Sequence, residues 1–314
     1  MKKLLLPLLF ISMNAMSQMP EPDYAASAIE SSKSWIDIDY VGDGVTGHRL
    51  DILLPKNGNA PFPIIICVYG SAWFSNNLKG TTFTTGLGQR LLKEGFAVVS
   101  INYRSSFDAK FPAQIQDVKA AIRFIRANAS KFSLNNHFIG ITGWSSGGHL
   151  SALAGTTNTT KKDTINGMNV DIEGSLGKFT NESSQVNAVV DWFGPTDFLI
   201  MDQCGSSFKH DEARSPESSL IGGPIQSNKD KVALANPISY VNKNNPPFLI
   251  FHGDKDPLVP HCESEKLYEK LQLNGTKSEL VIVPGGGHGP GVMIDKYYDK
   301  MISFFKTEMQ KTGK

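Results

Sequence analysis

Cysteine is scarce: the 314-residue chain contains three, Cys67, Cys204 and Cys262. Three thiols cannot supply the dense cross-linking of a small disulfide scaffold, and none sits at a Cys/His spacing suited to zinc. An excess of either charge is also missing. Lys plus Arg number 31 and Asp plus Glu 30, for a formal net charge of +1. That balance gives no electrostatic reason to expect nucleic acid or an anionic membrane as a partner. The basic runs are short, Lys161-Lys162 and Lys229 to Lys231, and read as solvated faces. No apolar run reaches the roughly 20 residues that a transmembrane helix needs. Internal repeats and a clear compositional boundary are lacking too, so residues 18–314 read as one domain.

What is present begins at the N-terminus. Lys2 and Lys3, the apolar run Leu4 to Ile11 and the small-x-small site Ala15-Met16-Ser17 predict a signal peptide over 1–17, with a mature chain from Gln18. Secretion or a periplasmic location is therefore expected, with no membrane contact after cleavage. An oxidising compartment gives the cysteines meaning. Cys67 lies inside the apolar run Ile64 to Val68 and reads as a buried free thiol. Cys204 and Cys262 fall in loops and could pair, although spacing alone leaves the pairing open.

Hydrophobic residues at 40% and charged residues at 19% are ordinary for a globular chain that buries a sizeable core. Period-two alternation over Trp35–Tyr40 and His48–Leu53, around a Gly/Asp-rich turn, predicts an antiparallel hairpin. Continuous apolar runs follow at 64–69, 97–101, 137–142, 188–193, 248–251 and 280–283, the pattern of strands covered on both faces. Between them, helices are expected near 85–94, after Phe111-Pro112, over 262–273 and over 293–309. The second carries Ile115, Val118, Ala121, Ile122 and Ile125 at helical spacing. Alternating strands and helices describe an α/β fold with a mostly parallel central sheet and helices on both faces. Residues 156–184 read as a polar surface excursion and 195–240 as a long irregular cap segment.

The chain turns on Gly143-Trp144-Ser145-Ser146-Gly147, a G-x-S-x-G pentapeptide between an apolar strand and a small-residue segment. In that setting it reads as a nucleophile elbow. A serine hydroxyl is a poor nucleophile near neutral pH. It needs an imidazole to take its proton and a carboxylate to orient the imidazole. Loops after two later strands supply both, in His252-Gly253-Asp254-Lys255-Asp256 and Gly285-Gly286-Gly287-His288-Gly289. The order Ser145, Asp256, His288 is that of an α/β-hydrolase. Asp254 competes with Asp256, and Asp191 and Asp197 are outside candidates. His149 and His252 read as structural, while His48, His137, His210 and His261 carry no supporting pattern. Oxyanion donors are expected from the backbone N–H groups of Ser146, Ser71 and Ala72. Trp73 and Trp144 flank the site and either pack in the core or line a substrate pocket. This chemistry calls for no cofactor and no metal.

Several stretches together resemble the α/β-hydrolase esterases of the bifunctional feruloyl and acetylxylan esterase-like group, related to the hormone-sensitive-lipase type. They are Tyr69-Gly70-Ser71-Ala72-Trp73, Phe111-Pro112-Ala113-Gln114 with Asp117 to Arg126, Gly143 to Leu150, Ser215-Pro216-Glu217-Ser218, Ala235-Asn236-Pro237, Pro247 to Pro260, and Gly285 to Gly289. Where many relatives read His-Gly-Gly-Gly-Trp, this chain has Tyr69-Gly70-Ser71-Ala72-Trp73, a change that bears on the width of the pocket. The resemblance implies hydrolysis of acetyl or feruloyl esters on plant polysaccharide. A serine exopeptidase on the same fold and a catalytically silent carbohydrate-binding protein are the rival readings.

Overall fold

The computed structural model describes residues 29–312, so the expected signal segment lies outside the described residues. The predicted hairpin is β1 (Lys33–Asp39) and β2 (Arg49–Leu54), paired antiparallel at one sheet edge. β3 (Phe62–Val68), β4 (Ala97–Ile101) and β5 (Leu134–Trp144) follow. A separate two-stranded hairpin, β6 (Lys162–Ile165) and β7 (Met168–Asp171), lies in the polar excursion. β8 (Ala188–Trp192), β9 (Phe248–Gly253) and β10 (Ser278–Val283) complete an eight-stranded sheet of order β1-β2-β4-β3-β5-β8-β9-β10. Every pairing from β4 to β10 is parallel.

The continuous apolar runs explain how the sheet is covered. Along β3, Ile64, Ile66 and Val68 enter one core, while Ile65 and Cys67 enter the other. The first core packs against α3 (Ala113–Ala127), α4 (Ser146–Thr156) and α7 (Cys262–Leu273) through Ile115, Val118, Leu150 and Leu267. The second packs against α2 (Leu87–Lys93) and α8 (Asp295–Thr312) through Leu91, Met301 and Phe305. A short α1 (Thr81–Thr84) precedes α2. Each such aliphatic side chain contributes about 1.5–3 kcal/mol on burial. Every residue of α4 is buried, so a small-residue sequence is what lets this helix run so close to the sheet.

The two excursions are more ordered than the sequence suggests. The β6–β7 segment is tied down just beyond its hairpin by Glu173, which pairs with Lys119 and Arg123 of α3 and accepts a hydrogen bond from Ser184. The 195–240 stretch, expected to be irregular, contains α5 (Pro216–Ile221) and α6 (Lys229–Ala235). Ser215 caps α5 by accepting from the Ser218 N–H, and Pro216 opens it with a preset φ. Cys204 and Cys262 form a disulfide that links this stretch to the start of α7, and Cys67 is a buried free thiol.

Candidate active site

Ser145 sits between the end of β5 and the start of α4 with φ 55° and ψ −125°. Such a backbone costs a non-glycine residue of order 1–3 kcal/mol and persists only where its surroundings hold it. Here the Ser145 N–H donates to Trp192 O at 2.9 Å, and the His149 N–H donates to Ser145 O at 3.0 Å. The flanking glycines are required by close approach. A Cβ on Gly143 would lie 2.3 Å from Gly147 O, and one on Gly147 would lie 2.1 Å from Val68 O.

The β9 and β10 loops bring the other two groups to Ser145. His288 Nε2 lies 2.9 Å from Ser145 Oγ, and His288 Nδ1 lies 2.8 Å from Asp256 Oδ2. The Leu258 and Val259 N–H groups donate to Asp256 Oδ1 at 2.9 and 3.0 Å. Burial alone would raise the Asp256 pKa. Hydrogen bonds from His252 and His288 outweigh it and hold the carboxyl well below the usual range. An ionised Asp256 fixes the Nδ1–H tautomer of His288, leaving the Nε2 lone pair facing the serine hydroxyl. Proton transfer from Ser145 to His288 is within reach of this arrangement.

The rival acids are otherwise engaged. Asp254 accepts from the Gly285 N–H at 2.7 Å and so shapes the loop that carries His288. Asp191 lies behind the elbow, where Oδ1 accepts from the Gly194 N–H at 3.0 Å, and burial pushes its pKa up to about 7. Asp197 accepts from Asn236 Nδ2 at 2.9 Å. His252 is buried between Ser264 Oγ and Val259 O, with Nε2 also 3.4 Å from Asp256 Oδ2. His149 takes a hydrogen bond from Trp73 Nε1 at 3.3 Å and bonds Ala235 O at 2.8 Å, and burial brings its pKa down to about 3.

One oxyanion expectation needs correction. The Ser71 N–H is turned onto Ser146 Oγ at 2.8 Å, so it is not free for a ligand. Tyr103 OH extends that network, lying 3.1 Å from Ser71 Oγ and 3.2 Å from Ser146 Oγ while donating to Tyr69 O. Beyond Ser71 the backbone turns left-handed, with φ 51° at Ala72 and 58° at Trp73. Among the described residues the Ala72 N–H has no partner, and Ala72 lines the cavity beside Ser145. Ser146 opens α4, so its N–H precedes the first intrahelical bond.

The cavity measures about 290 Å³, and its walls are mostly apolar. Trp73 lines it, whereas Trp144 does not: its place in the substrate pocket is corrected, and core packing, the other expected place, is what it has. Its ring packs at Gly70 and against both cores. Phe208 and Leu258 stand at the cavity's walls, each 43% exposed. His210 and Glu217 also line the cavity and were missed. The available signal was Ser215-Pro216-Glu217, a cap, a helix opener and an acid in the first turn. Among the described residues no group of three His, Cys, Asp or Glu side chains is arranged to hold a metal ion.

Comparison with known proteins adds the lineage. The family model described as BD-FAE matches residues 50–271. The chain is similar to a solved structure titled a truncated form of carbohydrate esterase from gut microbiota, at 48% identity and TM-score 0.86, covering 90% of this chain and 98% of that one. It is also similar to a bifunctional GH43-CE of Bacteroides eggerthii, at 52% identity and TM-score 0.84, covering 88% of this chain and 35% of that one. Esterase LipC of Mycobacterium tuberculosis is 31% identical over 73% of this chain and 53% of its own length. The chain thus spans about half the length of the curated relatives it matches.

Proposed function

The chain belongs to the BD-FAE family, and from that premise we propose that it is a secreted serine carboxylesterase acting on acyl esters of plant polysaccharide. The observation that carries the reading is the unbroken chain from Asp256 through His288 to Ser145, with contacts of 2.8 and 2.9 Å. Ser145 Oγ attacks the acyl carbon as His288 Nε2 takes its proton. The oxyanion forms against the N–H groups of Ala72 and Ser146. Collapse breaks the ester C–O bond, and His288 returns the proton to the departing alcohol. Water then repeats the sequence on the acyl-enzyme, releasing the acid and restoring Ser145.

Asp256 contributes by holding the tautomer and stabilising the imidazolium, without itself taking the proton. A cavity of about 290 Å³ accommodates either an acetyl or a feruloyl acyl group. The carbohydrate alcohol is supported by the names of the two solved relatives, and export by the N-terminal segment. Ser145→Ala should lower turnover of p-nitrophenyl acetate by about 10⁴- to 10⁶-fold. Near-wild-type activity in a folded Ser145→Ala protein would refute the assignment. A panel of acetylated xylan, methyl ferulate and p-nitrophenyl esters of rising chain length reads the acyl group, with acetyl or feruloyl esters expected to be turned over faster than long-chain alkyl esters.

A further inference from the structure

One polar pair interrupts the apolar wall of the cavity. His210 and Glu217 are each 3% exposed, and both line the cavity together with Ser145 and His288. His210 Nδ1 lies 3.1 Å from Glu217 Oε2, in an ion-pair contact whose alignment falls short of a hydrogen bond. The two atoms are buried against each other, and Glu217 Oε1 has no hydrogen-bond partner among the described residues. On its other side His210 Nε2 lies 2.9 Å from Leu258 O and 3.1 Å from Ser206 Oγ. An acceptor facing each nitrogen favours the protonated imidazole. Burial would lower the His210 pKa, and the Glu217 contact outweighs it, so that the pKa stands above its usual value.

Buried polar groups left short of hydrogen bonds are costly, and a fold retains them where a ligand completes them. We propose that the His210–Glu217 pair recognises a free hydroxyl beside the scissile ester, on the alcohol side, and so selects partially acylated polyols. A hydroxyl donates to Glu217 Oε1, the carboxylate oxygen that the ion pair leaves open. A substrate ammonium fits less well, because His210, whose protonated form the pair favours, already faces the carboxylate. That separates this site from the amine pocket of an exopeptidase. The apolar surroundings strengthen the discrimination, since a substrate without the hydroxyl leaves Glu217 Oε1 dry and unpaired.

This inference rests on the esterase reading above and is tested apart from it. The measurement is kcat/KM for trans-2-hydroxycyclohexyl acetate and for cyclohexyl acetate, with the full chain. In wild type the hydroxylated ester should be preferred at least about 30-fold, and in Glu217→Gln the preference should fall at least tenfold. The wild-type comparison needs no variant to fold. A wild-type ratio near one, an unchanged ratio in folded Glu217→Gln, or a preference for trans-2-aminocyclohexyl acetate over the hydroxylated ester would each overturn the proposal. Turnover of cyclohexyl acetate that depends on Ser145 keeps the esterase reading intact in those cases. No turnover of either ester, with no labelling of Ser145 by a fluorophosphonate, removes both.

Discussion

Replacing Asp256 by Asn separates charge and tautomer from packing. Asp256 Oδ1 accepts two backbone N–H groups, from Leu258 and Val259, while Oδ2 faces His288 Nδ1 at 2.8 Å. An amide has one acceptor oxygen. The two backbone donors would claim it, turning the NH₂ toward His288. That NH₂ needs an acceptor, so His288 adopts the tautomer with a bare Nδ1 and a protonated Nε2. The Nε2–H then points at Ser145 Oγ and cannot take its proton. Loss of a correctly oriented base by this route costs about 10⁴-fold in kcat, which is about 5.5 kcal/mol of barrier. The assay is kcat and kcat/KM on p-nitrophenyl acetate, with far-UV circular dichroism to confirm folding. Asp254→Asn is the matched control. Its carbonyl can still accept from the Gly285 N–H, so less than about tenfold loss is expected. A folded Asp256→Asn protein within tenfold of wild type, or Asp254→Asn losing more than Asp256→Asn, would refute the assignment of the acid.

Three further outcomes follow from the same geometry. The left-handed backbone at Ala72 costs an L-residue about 1–2 kcal/mol, and glycine's extra freedom when unfolded offsets about 0.5–1. Ala72→Gly should therefore stabilise the fold by about 0.5–1 kcal/mol in urea melts; a clear destabilisation contradicts the strain argument. His149 stays neutral when folded down to a pKa of about 3, whereas the unfolded side chain takes a proton below about 6.5. The unfolded state binds more protons between those values, so this residue makes stability fall as pH falls, by up to about 1.4 kcal/mol per pH unit. Asp191 and Glu263, with pKa values raised by burial to about 7 and about 8, act in the opposite sense. The readout is therefore the difference between wild type and His149→Gln at pH 7, 6 and 5, in which their contributions cancel; a difference independent of pH would count against a buried neutral imidazole. Removing the cross-link with paired Cys204→Ser and Cys262→Ser changes should cost about 2–4 kcal/mol for a closed loop with a sequence separation of 58. Equal denaturation midpoints with and without the bond would contradict that.

The sheet was legible because burial on both faces leaves a mark. Runs such as Ile64 to Val68 send alternate side chains into two cores, so no polar residue interrupts them. The elbow was legible for a related reason: two backbone approaches near 2 Å exclude any Cβ at Gly143 and Gly147, and those exclusions appear as letters. The direction of the Ser71 amide was not readable, because its acceptor, Ser146 Oγ, lies 75 residues away and meets it only in the fold. His210 and Glu217 were hidden differently. They meet across the 195–240 stretch, where short helices and turns carry no periodicity and spacing says nothing about which side chains converge. The β6–β7 hairpin escaped notice because four-residue strands of mixed polarity resemble loop.

The central claim is that Ser145 becomes covalently acylated, and fluorophosphonate labelling followed by peptide mapping tests it most directly. Wild-type protein should gain one phosphonyl group, on the peptide containing Ser145, and the Ser145→Ala protein should gain none. Labelling of a different serine, or none in folded wild-type protein, would contradict the account.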